Sequence, residues 1–406
     1  MKMNLLTKIL IAFVLAIVAG VLVGPAIEVV KPLGDLFLRL IKFIMVPLVL
    51  ASLVVGVASI GDLRSLGRIG GKTVAYYLVT TAIAVTIGLV LGNIFAPGAG
   101  LDLAGTTEKV AANETPGIIA TLLAIVPTNP FAALVEGNML QTIFFAIFLG
   151  LAITMLGEKA KTVHHFFEEL AEIMYKITGI VMRFAPYGIF GLMAPTVGQY
   201  GLSVILPLLK IILVVAGGCI LHAALFYSLS VRLFAKMSPL TFFKGIAPAS
   251  LVAFSTSSSS GTLPVTIKCT EENLGVPTKV SSFVLPLGAT VNMDGTALYL
   301  GVCALFVAQF FGVDLTLAQQ ATIVLTATLA SIGTAGVPGA GLIMMTMVLA
   351  SVGLPLEGIA LIAGVDRILD MFRTSVNVTG DASAAVVVAA SEGGLESVAA
   401  QSEDGK

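Results

Sequence analysis

Charged side chains are scarce in this chain. Asp, Glu, Lys and Arg together make up 11% of its 406 residues, where soluble domains carry about 25%. Hydrophobic residues reach 57% and the mean hydropathy is +1.03. That combination excludes an ordinary soluble domain and indicates a chain that crosses a membrane several times. The net charge of −1 excludes bulk electrostatic attraction to nucleic acid. The three cysteines, Cys219, Cys269 and Cys303, lie far apart in apolar surroundings. They read as small buried hydrophobes rather than a disulfide or metal site. The three histidines, His164, His165 and His222, form no metal-ligand spacing with them. Tryptophan is absent. No small-residue cleavage site is evident after the first apolar stretch, which is long enough to be a retained span. The serine run at 255–260 lacks a G-x-S-x-G elbow and has no sequence link to His222. Nucleophilic catalysis, and with it an enzyme, is not indicated.

What the chain has in abundance is long apolar runs. The first, from Ile9 to Ile27, is about 19 residues, enough for one crossing. Others are expected over 36–60, 73–95, 164–197 and 202–231, the helix at 164–197 beginning wet because of Glu168, Glu169 and Glu172. The region 118–156 is too long for one span and is broken at Pro127-Thr128-Asn129-Pro130 and at Glu136-Gly137-Asn138. Connections at 62–72, 158–161 and 232–244 are rich in Lys and Arg, whereas the loop at 97–116 has one lysine against three acids. The positive-inside bias therefore places the N-terminus and the residues near 240 in the cytoplasm.

The second half changes character. An apolar run from Phe242 to Cys269 is interrupted at 255–264 by serine, glycine and proline. Each arm is about 12 residues, too short to cross, so the chain is expected to turn back as a re-entrant hairpin. Irregular backbone at that depth is tolerated where it lines a cavity. A span over 281–311 follows, with Asn292-Met293-Asp294-Gly295-Thr296 at its middle, and then the hairpin pattern repeats over 317–354 around the break Ser331–Gly341. Two units of hairpin plus span, opposite in topology, make an inverted repeat of the kind found in secondary transporters. The tail from Ser391 is polar and acidic and is expected to be disordered.

The last span carries a polar stripe. Asp366, Asp370, Arg373, Asn377 and Asp381 fall on a helix within a sector about 80° wide, with Thr374 at its edge. Ionisable groups at membrane depth are costly and mark binding sites or ion paths. With Asp294 and Arg367, the six charges sum to −2. Either some acids hold protons or cations bind. Asn292 and Asn377 offer amide oxygens, and Thr290, Thr296 and Thr334 offer hydroxyls, hard ligands that suit small hard cations. A substrate of charge −1 would then require about three monovalent cations for neutrality. Arg373 can fork a carboxylate while Asp370 binds an ammonium, which would read an acidic amino acid. The competing reading is a structural Arg373–Asp370 pair at i, i+3. Asp294 has a competing reading as a helix-packing acid. The serine tip either holds a carboxylate through N–H groups and hydroxyls or is a plain turn.

SSSSGTLPVT, NMDGTALY, SIGTAGVPGAG and LDMFRTSVNVTGD closely resemble the dicarboxylate/amino acid:cation symporters, the family of the excitatory glutamate transporters and the archaeal sodium–aspartate symporters. GDLFLRLIKFIMVPLVLASLVVG and IVPTNPF extend the likeness over nearly the whole chain. The resemblance implies an all-α membrane protein of eight transmembrane helices and two re-entrant hairpins, assembled as a homotrimer and working as an elevator. Residues 1–69 and 98–200 would form a static trimerisation scaffold. Residues 70–97 and 201–390 would form a mobile transport domain, followed by a polar tail at 391–406. It further implies that Arg373 binds the substrate's side-chain carboxylate and Asp370 its amino group. Thr374, Asn377, Thr296, Met293, Ser257, Ser258, Ser259, Val337 and Gly341 would complete the shell. No cofactor is implied, but sodium ions are, as coupling ions: one at Gly288, Asn292, Asn377 and Asp381; one at Thr290, Ser331, Ile332 and Thr334; one at Tyr77, Thr80, Thr81, Asn292 and Asp294.

The chain departs from the family at named positions. Archaeal members carry arginine at Ser257, and eukaryotic members place one at Met371; here the extra arginine is Arg367. Neutral amino acid members lack an arginine at Arg373, and C4-dicarboxylate members lack an acid at Asp370. Having both points to L-glutamate or L-aspartate, carried with sodium across the cell's inner membrane, both termini cytoplasmic. The alternatives are a proton-coupled glutamate or C4-dicarboxylate symporter of the same fold and, from another class, an anion channel or non-transporting receptor.

Overall fold

The computed structural model describes residues 5–59, 67–99, 123, 126–331 and 339–395, and within them the chain is helical. Apolar runs become helices because a helix pairs every backbone group inside its own segment, the requirement that lipid imposes. Helices α1 (Leu5–Val23) and α2 (Lys31–Ser59) are joined by a tight 3₁₀ turn, Gly24–Val30. Helix α3 covers Gly67–Phe95. The two breaks read in the region 118–156 are helix caps. Asn129 accepts from the N–H groups of Phe131 and Ala132 at the start of α4 (Pro130–Glu136), with Pro130 in its first turn. Gly137, at φ 71°, closes α4, and Asn138 caps α5 (Met139–Leu156). These are the residues that cap and stop helices. Helix α6 runs from Lys161 to Tyr200. Helix α7 (Ile205–His222) passes through a single π turn, Ala223–Tyr227, into α8 (Ser228–Phe234).

Both expected hairpins are present as paired helices. The first is α9 (Pro239–Thr256) with α10 (Ser259–Lys268), turning at Ser257-Ser258. The second is α13 (Leu317–Ser331) with α14 (Ala340–Ser351); its tip, with Ile332, Thr334 and Val337, lies outside the described residues, as do the loop at 100–122 and the tail from 396. The span expected over 281–311 is not one helix. It divides into α11 (Thr278–Val291) and α12 (Asp294–Phe310), because Asn292 adopts an extended conformation at φ −91° and ψ 96°. Asn and Asp compete for backbone hydrogen bonds and Gly weakens a helix, so the break falls where NMDG stands. Helix α15, Gly358–Glu392, is unbroken.

Helices α1 and α2 pack along α6, and α5 packs on α2. Separately, α3 lies along α12, while α15 is surrounded by α7, α9, α11 and α12. Large apolar side chains face outward while several charged ones are buried within. Leu22 on α1 and Leu213 on α7 are 79% and 62% exposed, whereas Asp294, Arg373 and Asp381 are buried at 0%, 1% and 2%. Among the described residues, five helical runs are long and apolar enough to cross a bilayer: Thr7–Phe37, Arg68–Phe95, Gln141–Val181, Gly201–Phe234 and Thr278–Phe310. Helix α15 is not among them; its stripe of charges lowers its hydropathy although neighbouring helices bury it.

One exposed contact ties the end of α15 to the start of α3. Arg68 donates to Glu392 through Nε and Nη2, both at 2.7 Å, and Lys72 Nζ donates at 2.6 Å. Beyond the apolar stretch, this pair of cations holds the Glu392 carboxyl at about 2. The contact is complete above the ordinary glutamate value of 4.5 and is lost as pH falls through about 2. Exposed pairs of this kind are screened by salt. Glu392→Gln should therefore lower hydrogen-exchange protection in the last turn of α15 without moving Tm. Wild-type protection there should survive at pH 3.5, and unchanged protection in the variant would refute the tie.

Candidate substrate and cation site

The stripe on α15 faces inward throughout: Asp366, Asp370, Arg373, Thr374, Asn377 and Asp381 are each at most 5% exposed. Arg373 is the hub. Its Nε donates to Asp370 Oδ1 at 2.8 Å, and Nη1 and Nη2 donate to the two oxygens of Asp366 at 2.8 and 3.4 Å. The structural pair at i, i+3 is therefore formed, and a second pair at i, i+7 joins it. Tyr299 on α12 fixes both partners: its hydroxyl donates to Asp366 Oδ1 at 3.0 Å, and its ring lies 4.4 Å from the guanidinium carbon, a cation–π distance. Gly341 at the start of α14 lets this happen. A Cβ there would lie 2.5 Å from Arg373 Cζ.

Both hairpins reach α15 at this point. Gly339, just beyond the second tip, donates its N–H to Asp370 Oδ2 at 3.1 Å. At the first tip, the carbonyl of Thr256 accepts from Arg367 Nη2 at 3.3 Å. Ser257 sits in the left-handed region at φ 52° and is 2% exposed, and Ser259 is 3% exposed. Ser258 caps α10, its Oγ accepting from the Gly261 N–H at 3.0 Å, so that hydroxyl serves the turn. Thr374 donates to Asp370 Oδ1 at 3.2 Å. Asn377 accepts the Gly295 N–H at 2.8 Å through Oδ1 and turns its amide toward Met293 Sδ and Thr296 Oγ1, at 3.1 and 3.3 Å.

Two of the three oxygen sets are assembled. Asn292 donates to Asp381 Oδ1 at 2.9 Å and to the Asn377 carbonyl at 3.3 Å. Gly288 lies against them, since a Cβ there would fall 2.5 Å from Asp381 Oδ1. In the other set, Asp294 Oδ1 accepts from Thr80 and Thr81 at 3.0 and 2.8 Å, and Thr80 Oγ1 is 3.5 Å from Asn292 Oδ1. The Tyr77 carbonyl accepts from Thr80, while its hydroxyl donates to the Val284 carbonyl at 2.8 Å. Clustered carboxylate, amide and hydroxyl oxygens of this kind suit a small hard cation. The remaining set is not joined by the described contacts: Thr290 and Ser331 donate within their own helices, to Leu287 and Thr328.

Residues 5–391 match the sequence model of the sodium:dicarboxylate symporter family. The chain belongs to that family. Family membership makes it a secondary transporter and not an enzyme. It is 40% identical to the proton/sodium-glutamate symport protein of Geobacillus stearothermophilus, over 97% of this chain and 95% of that protein. It is also 40% identical to the proton/glutamate-aspartate symporter of Escherichia coli (strain K12), over 96% and 93%. The C4-dicarboxylate transport protein of Bacillus subtilis (strain 168) is 37% identical, over 96% and 94%.

Sequence reasoning overlooked four groups in this symporter's interior. Asp366 was counted as a charge but given no partner, although its i, i+7 spacing to Arg373 keeps both on one face. Tyr299 follows NMDGTAL within the same motif. Tyr227 donates to Asp294 Oδ2 at 2.7 Å, and His222 Nε2 lies 3.3 Å from the same oxygen. No sequence signal joins those two to an acid about 70 residues away.

Proposed function

We propose that this protein is a secondary active symporter that carries L-glutamate or L-aspartate into the cell together with sodium ions. The observation that carries the reading is the buried Asp370–Arg373 pair, to which Gly339 of the second hairpin donates, beside Arg367, which meets Thr256 of the first. An acidic amino acid presents one ammonium and two carboxylates. Asp370 takes the ammonium, Arg373 the side-chain carboxylate, and Asn377, Thr296, Met293 and the Ser257–Ser259 tip surround the remainder. Arg373 gives Nε to Asp370 and its two terminal nitrogens to Asp366, and the substrate carboxylate takes the place of one of these acids. Asp370 is the partner that turns from the guanidinium to the ammonium.

Sodium is the coupling ion in this reading, because among the described residues neither Asp294, which meets Thr80, Thr81, Tyr227 and His222, nor Asp381, which accepts from the Asn292 amide, is paired with Lys or Arg. Proton coupling is the second reading, favoured by the similarity to proton/glutamate symporters. Residues 1–69 and 98–200 act as a fixed trimeric scaffold, which the packing of α1 and α2 along α6, and of α5 on α2, supports. Residues 70–97 and 201–390, with eight membrane crossings and two re-entrant hairpins in the whole chain, carry the site as an elevator across the inner membrane. Both termini are cytoplasmic. Uptake of L-aspartate into proteoliposomes under an inward sodium gradient at equal pH tests this. Accumulation that needs only a pH gradient would overturn the sodium assignment.

A further inference from the structure

Arg367 is a second guanidinium beside the site. Arg373 is shared by Asp366 and Asp370, and those three groups leave one negative charge. Arg367 offsets it, with Nη1 3.7 Å from Asp370 Oδ2. Through Nη2 it also donates to the Thr256 carbonyl at 3.3 Å, the last residue of α9, where the helix dipole is negative. Two buried polar atoms at this junction lack partners among the described residues: Arg367 Nε and, on the residue after Thr256, Ser257 Oγ. Buried groups of this kind are normally satisfied.

We infer that Arg367 sets how strictly the site requires an amino group, and that in this chain it admits C4-dicarboxylates alongside acidic amino acids. The inference rests on Asp370 being the ammonium partner in the function proposed above. Without Arg367, a substrate lacking an amine would draw Arg373 away and leave Asp370 buried and uncompensated, which is strongly unfavourable. With Arg367 in place, Asp370 keeps a cation whatever the substrate carries. The added positive charge also attracts a dianion twice as strongly as an amino acid of net charge −1 at the same distance. Arg367 Nε and Ser257 Oγ are donors of the type a second carboxylate takes.

Competition against L-aspartate uptake in proteoliposomes containing the full chain tests this, reading the ratio of the inhibition constants of succinate and L-aspartate. The wild-type ratio should be within about tenfold of unity, and Arg367→Gln should raise it by about tenfold or more. Arg367→Lys keeps the charge and should hold the ratio within about threefold of wild type. Should Arg367→Gln be transport-dead, displacement of bound L-aspartate from the purified variant reads the same ratio. An unchanged ratio in Arg367→Gln, or failure of succinate to compete in the wild type, overturns the inference while leaving aspartate symport standing. Absence of L-aspartate uptake by the wild type overturns both.

Discussion

Arg373→Cys should abolish binding of acidic amino acids. The variant removes the only cation among the described residues that touches both Asp366 and Asp370, and does so where exposure is 1%. Breaking a buried ion pair from one side costs about 3–5 kcal/mol, and losing a two-point carboxylate contact adds to it. Affinity for L-aspartate should fall by at least about 10³-fold. Neutral amino acids of similar size should lose little, since Asp370 remains for their ammonium. Isothermal titration of purified protein with L-aspartate and L-serine in sodium buffer checks this. Retained aspartate affinity within tenfold of wild type, roughly 1.4 kcal/mol, would show that Arg373 serves only its intramolecular pairs.

Asp381→Asn should weaken sodium dependence more than substrate specificity. Asp381 is 2% exposed, and Asn292 is its side-chain hydrogen-bond partner. Removing its charge leaves the set at Gly288, Asn292 and Asn377 with neutral oxygens alone, and half-maximal sodium should rise by about tenfold or more. Gly288→Ala should mimic it without changing any charge, because the new methyl would fall 2.5 Å from both Asp381 Oδ1 and the Tyr77 hydroxyl. The discriminating measurement is the sodium titration of L-aspartate binding in both variants. If neither curve moves, the coupling ion does not use this cluster.

The inward stripe of α15 was readable because a 3.6-residue period leaves little choice: five polar positions within one narrow sector of an apolar helix must face something other than lipid. Helix ends were readable for a related reason. Asn129, Gly137 and Asn138 have cap chemistry that works the same way in any surroundings. The division of α11 from α12 was missed because NMDG was read for its oxygens and not for its backbone. Asp366 is not marked as a partner by local spacing, because the nearer i, i+3 acid already accounts for Arg373, whereas one guanidinium reaches both acids. His222 and Tyr227 were out of reach altogether. Their meeting with Asp294 depends on how α7 and α8 lie against α12, which no local pattern encodes.

The π turn between α7 and α8 bears on that last contact. On a regular helix, positions 222 and 227 would diverge by about 140° around the axis. The single wide turn Ala223–Tyr227, closed by i→i+5 bonds, brings them to within about 50° of one another. Deleting one residue from this turn would restore an ordinary helix and rotate one of the two rings away from Asp294. The second oxygen of Asp294 is thus gripped by way of one extra residue in the turn, so the geometry around this carboxylate is as sensitive to the length of the helix as to its chemistry.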